Sequence, residues 1–267
     1  MGLRPAGRIS GAAAYRDSAR RVRLHSVNQP NRASDGIHKF KNSGHRGSAE
    51  LSILTGTRHL AFKQHTPRSE PEMNDLPSDP RKIRARIRRY ERTLYKEKEL
   101  SGFYRDGYGK RYLLGPLYML MGDQEGALRS FDWFDSEFSD DCGEPGHSLC
   151  WTLILHRAGD EQGATRKLLH TVLLNLHIVP RLLGQSIEEL DIWHGSSDEH
   201  SWHLQYIPEE YFSIWNDEER AWISDLHRSP VIQEPRARHI DIHRELRNLP
   251  PGPRRSQLVR EASALGK

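Results

Sequence analysis

Apolar residues recur at helical spacing through most of this chain after residue 78, and no sustained period precedes it. Ile83, Ile87, Tyr90 and Leu94 follow one another at intervals of four, three and four, which is one face of a helix. Asp79 is a good N-cap before them. Pro80 suits the first helical position, where its missing N–H needs no partner. A helix is therefore expected over 80–99. A Gly- and aromatic-rich loop at 102–109 precedes a second helix at 110–121. Gly122 fits its C-terminal turn and Asp123 the cap of the next helix, which runs to about 138 with Ala127, Phe131, Phe134 and Phe138 as its stripe.

From near His147 the pattern becomes apolar almost all round, with Leu149, Trp151, Leu153, Ile154 and Leu155, so this helix should be the most buried one. A longer helix is expected from 161 to about 178. Ser186 with Glu189 reads as a capping box opening another helix. Short helices follow from Pro208 and from Asn216 or Asp217, the latter with Trp222, Ile223 and Leu226 inward. Pro230 and Pro235 confine a further helix to about 236–247. Pro250, Pro251, Gly252 and Pro253 end it, and 254–265 reads as a frayed amphipathic helix.

One stretch occurs twice. Gly122-Asp123-Gln124-Glu125-Gly126-Ala127 returns as Gly159-Asp160-Glu161-Gln162-Gly163-Ala164, 37 residues later, and Arg129 returns as Arg166. Each copy joins two apolar-periodic runs, the signature of a helix–turn–helix repeat. The first copy resembles a tetratricopeptide repeat through Leu114, Gly115, Tyr118, Gly122, Ala127 and Phe131. In the second, Gly159, Ala164 and Leu168 fit, while Thr152 stands where a small Gly is usual and Leu155 where a Tyr is usual. The resemblance spans about 110–178. It implies an all-α superhelix of helical hairpins with helical caps, and a concave face that binds a peptide or protein partner. That face would be lined by Tyr112, Pro116, Met119, Leu120, Leu153, His156 and Arg157. The helix at 80–99 and residues 181–267 would supply the caps, giving a helical domain over 75–250 and a C-terminal piece at 251–267.

Charge separates the chain into unlike parts. Residues 1–72 hold 13 Lys/Arg against 5 Asp/Glu and only Tyr15, Phe40 and Phe62 as aromatics. So little apolar bulk cannot offset ordering entropy, and a disordered basic tail is expected. An alternative is that translation starts at Met73, close to the change in composition. The basic run in the helix at 80–99 reads as a solvated face, and nucleic acid is not expected as a partner. Two cysteines are too few for a disulfide framework, so a reducing, cytoplasmic setting is expected. No apolar run is long enough for a membrane span.

Candidate chemistry is sparse. His194, His200 and His203, near Asp198 and Glu199, are nitrogen donors that a zinc-type ion would accept, which keeps a metal-binding or metal-dependent hydrolase reading open as the alternative. His239 and His243 are four apart but lack the intervening Glu of a zincin helix and read as surface histidines. Cys150 reads as a small core residue. No dinucleotide or P-loop glycine pattern is present, and neither a catalytic residue nor a cofactor is expected. The reading that results is a non-enzymatic interaction module.

Overall fold

The computed structural model describes residues 76–104, 106 and 109–266, all of them helical or in connecting turns. The expected disorder of 1–72 and the alternative start at Met73 lie outside these residues. Among the described residues there are ten α-helices: α1 (Pro80–Ser101), α2 (Lys110–Leu120), α3 (Gln124–Glu137), α4 (Pro145–Arg157), α5 (Glu161–Leu174), α6 (Ile178–Leu182), α7 (Glu209–Ser213), α8 (Asp217–Arg228), α9 (Pro230–Asn248) and α10 (Pro253–Ala264). Two short 3₁₀ turns, Ser197–Glu199 and Ser201–Tyr206, lie between α6 and α7. None of these helices is long and apolar enough to cross a membrane.

The two glycine–aspartate corners fold as their sequences require. Gly122 and Gly159 take φ of 72° and 76°, the left-handed region open to a residue without Cβ. Asp123 and Asp160 then cap the next helix, each accepting an N–H three residues on, from Gly126 and Gly163, at 2.8 Å. The results are two antiparallel hairpins, α2–α3 and α4–α5, packed side by side. Every residue from Pro145 to Ile154 is buried, because α4 sits between its own hairpin partner, the first hairpin and α7.

The hairpins solve the same packing problem differently. In the first, Gly115 lies against the ring of Phe131, and a Cβ there would come within 2.5 Å of it. The equivalent pair in the second is Thr152 and Leu168. A smaller aliphatic chain leaves room for a β-branched residue. Thr152 Oγ1 donates to the Ser148 carbonyl at 3.0 Å and meets Thr171 Oγ1 at 3.2 Å, which itself bonds Ser148 Oγ at 2.7 Å. These hydroxyls are fully buried but mutually satisfied, as burial demands.

α1 buries Ile83, Ile87 and Leu94 against α2, with Asp79 capping it through the Arg81 N–H at 2.8 Å. The structure differs from the sequence reading at four places. α5 stops at Leu174, because Asn175 turns extended. Its side chain donates to the carbonyls of Asp198 and His200, and its Oδ1 accepts from the His177 N–H. Ser186 opens no helix. Residues 185–196 run without helical structure, Glu189 accepts instead from the Ser201 hydroxyl, Asp191 pairs with Arg247, and Trp193 N–H bonds the His243 carbonyl at 3.0 Å.

α9 starts at Pro230, not Arg236, and contains Pro235. Pro230 takes the first position, where no N–H is needed. Pro235 withholds a bond only from the carbonyl of Val231, an exposed residue that water can reach. Finally, α10 is docked, not frayed. Leu258 is fully buried on Ile242 and Leu246, and Arg255 donates to the Leu246 and Leu249 carbonyls that end α9.

Candidate functional site

α3, α4 and α5 form one side of a half-open cavity of about 780 Å³, and α9, α10 and the segment around Trp193–Glu199 form the other. Its floor is aromatic. Trp151 of α4 stacks on Phe131 with centroids 5.2 Å apart, and Phe134 and His147 pack edge-on beside it. Lys167, reaching from α5, lays its ammonium 3.4 Å over the Trp151 ring. No carboxylate lies within ion-pair distance of Lys167 among the described residues. Burial pushes its pKa down, and the field of Asp135 only partly opposes this. The indole face therefore does what a counter-ion would otherwise do.

One turn further along α5, His170 donates through Nε2–H to the Cys142 carbonyl at 2.7 Å. This ties the loop after α3 to the cavity edge. That loop also carries the exposed Asp140 and the half-buried Asp141, whose carboxylate accepts from Arg111 and from the Tyr112 hydroxyl at 2.7 Å. Asp135 and Asp140 leave this rim acidic.

The far wall is built from histidines. His239 and His243 stack with centroids 3.9 Å apart on one face of α9. Both were expected at the surface. The structure buries them, at 8% and 4% exposure, because α9 is wedged between α5 and α10 with this face turned inward. His243 Nδ1–H donates to the Trp193 carbonyl at 2.8 Å while the Trp193 N–H returns a bond to the His243 carbonyl. Glu199 stands between the histidines, 3.8 Å from His243 Nδ1 and 3.9 Å from His194 Nδ1, and accepts the Gly195 N–H at 2.8 Å. His239 Nδ1 is buried without a hydrogen-bond partner. Burial, with His243 and Arg236 nearby, lowers the His239 pKa to about 3, so it is a neutral ring at physiological pH.

The residues expected on a concave partner-binding face are largely taken up inside the molecule. Leu153 is fully buried, Met119 is 5% exposed and Pro116 is buried. Tyr112 packs on Phe134 and His147, and Leu120 lies half-buried against the core. His156 stacks on Trp222 of α8 at 3.9 Å, and Arg157 grips Glu219. α7 covers this side too, with its Tyr211 and the preceding Ile207 against Gly146. Much of the face made by α2 and α4 is thus covered by α1, α7 and α8, and the open cavity is lined instead by α3, α5, α9, α10 and the start of α4.

Of the three histidines read as metal ligands, two come together. The rings of His194 and His200 lie 3.9 Å apart, tilted to one another. His203 turns to Asp198, 3.4 Å away, and to Tyr206. Among the described residues no group of three or more His, Cys, Asp or Glu side chains is placed to hold a metal ion. Ser148 Oγ is bonded to Thr171, and burial pushes the Cys150 thiol well up. The arrangement can hold a ligand through an apolar floor, a cation and an acidic rim.

Compared with protein-family models, with curated proteins and with solved structures, the chain matches none.

Proposed function

We propose that this chain is a non-enzymatic interaction module built on tetratricopeptide-like hairpins, and that it takes a short peptide segment of a protein partner into the cavity beside α3 and α5. The observation that carries this reading is the cavity with Lys167 lying over Trp151. A volume of about 780 Å³ suits a bound segment or small ligand. Phe134, His147 and Trp151 give the cavity an aromatic floor, and Asp135 and Asp140 on the rim favour a basic residue beside the seated one. The superhelical reading draws on the two hairpins in register, with α1 and α6–α10 packed around them.

The test is selection of binders from a random 12-residue peptide library on the full chain. Peptides enriched in an apolar residue next to Lys or Arg are expected. Ser263→Trp, which fills the cavity from the exposed face of α10, and Asp135→Lys are each expected to weaken them at least tenfold. Selected peptides indifferent to both substitutions would remove the cavity from the proposal.

A further inference from the structure

α1 carries seven Lys/Arg between residues 81 and 92 against one acid, Glu91. Its first turn holds no acid, and Arg81 and Lys82 sit at the helix end where the macrodipole disfavours cations. Elsewhere, among the described residues, nine arginines hold a carboxylate. Arg81, Lys82, Arg84, Arg88, Arg89 and Arg92 are all exposed and hold none. Even Glu91 is spent, accepting from the Tyr118 hydroxyl at 2.5 Å. A merely solvated face would be expected to mix signs, as the rest of this surface does.

The spacing adds direction. At about 100° per residue, Arg81, Arg84, Arg88 and Arg92 fall into one row along α1, which continues to Tyr95. Tyr95 is 71% exposed, a large ring presented to solvent at the end of a line of guanidiniums. The row spans roughly 21 Å at 1.5 Å per residue. The apolar stripe of α1 is already buried on α2, so the helix has no free greasy face to lay into a bilayer.

We infer that this row binds single-stranded nucleic acid, with successive phosphates on Arg81, Arg84, Arg88 and Arg92 and one base stacked on Tyr95. Cations spaced along a helix match a backbone of repeating charge, and an exposed ring accepts any base by its π-face. The surface is independent of the cavity, and neither proposal depends on the other.

The experiment is fluorescence anisotropy of a labelled 20-nucleotide oligo-dT and oligo-U with the full chain, from 50 to 300 mM salt. Arg84→Gln/Arg88→Gln/Arg92→Gln is expected to lower affinity at least tenfold. It should also flatten the plot of log affinity against log salt by about 2, at about 0.7 per lost contact to a single strand. Tyr95→Ala should cost about tenfold while leaving that slope unchanged. Circular dichroism should show both variants folded, since all four side chains are exposed. A control, Arg20→Gln/Arg21→Gln/Arg23→Gln, reports on the basic N-terminal segment. The inference is overturned by no binding at 1 mM oligonucleotide, by loss in the control but not in the α1 variant, by a duplex bound as tightly with Tyr95 indifferent, or by binding confined to phosphatidylserine vesicles.

Discussion

Arg157 and Glu219 form a two-pronged ion pair between the end of α4 and the first turn of α8, with N···O distances of 2.7 and 3.0 Å across 62 residues of sequence. The arginine also reaches the Ile214 carbonyl at 2.7 Å, and the same carboxylate accepts the Asn216 N–H in a capping box. Burial pushes the Glu219 carboxyl up, but the bonds from Arg157 and Asn216 outweigh it and hold the pKa below its ordinary value. Arg157→Ala should destabilise the fold by about 2–3 kcal/mol, since it strands a carboxylate that is 7% exposed. Arg157→Lys should recover only part, because an ammonium cannot fork. Urea unfolding of the three proteins checks the order.

The Gly115–Phe131 contact predicts a sign. At an ordinary helix interior Gly→Ala gains up to about 1 kcal/mol. Here Gly115→Ala should cost about 1–3 kcal/mol, because the new methyl meets a buried ring at 2.5 Å. Adding Phe131→Leu, the pairing found in the second hairpin, should recover part of that loss. A double-mutant cycle with a coupling near zero would contradict the contact.

The repeat itself predicts equal caps. Asp123→Ala and Asp160→Ala each remove one side-chain bond of 2.8 Å to the third helical N–H and should each cost about 1 kcal/mol. Thermal melts of the two single variants should agree closely, and a twofold difference would show that the corners are not equivalent.

Histidine burial sets the acid limit. His147 and His239 are lowered to about 3 and His227 to about 4, in each case by desolvation first. Below their unfolded value near 6.5, the unfolded chain binds protons that the folded chain refuses, so stability falls as pH drops from about 6.5 toward those values. Each such ring can contribute up to about 1.4 kcal/mol per pH unit. The melting temperature should therefore decline steadily between pH 6.5 and 4.5. The lowered Glu219 adds its own loss only at lower pH. His239→Gln should shallow the decline; a melting temperature flat from pH 7 to 5 would contradict it.

What the sequence made legible was local. Gly122, Asp123, Gly159 and Asp160 act through their own φ angles and through donors three residues away, so the corners, the caps and the all-helical class could be read directly. The buried character of α4 followed from its composition. What escaped depends on distant contacts. Nothing near His239 or His243 says that α10 will fold back over α9. Nothing near Leu153 or His156 says that Trp222 and Tyr211 will arrive to cover them. The run in α1 was visible as charge, but that Arg81, Arg84, Arg88 and Arg92 hold no carboxylate while nine other arginines among the described residues do depends on where distant acids fall.

The last helix has a further consequence. Ala262, Ser263 and Gly266 form part of the cavity wall, and that wall is held to α9 by Leu258, Arg255 and the ion pairs Arg238–Glu261 and Arg254–Glu245. Any occupant that touches both sides acts as a clasp on α10. Its binding and the seating of α10 are linked reciprocally, so a filled pocket should slow amide exchange in α10, and loosening α10 should release the occupant.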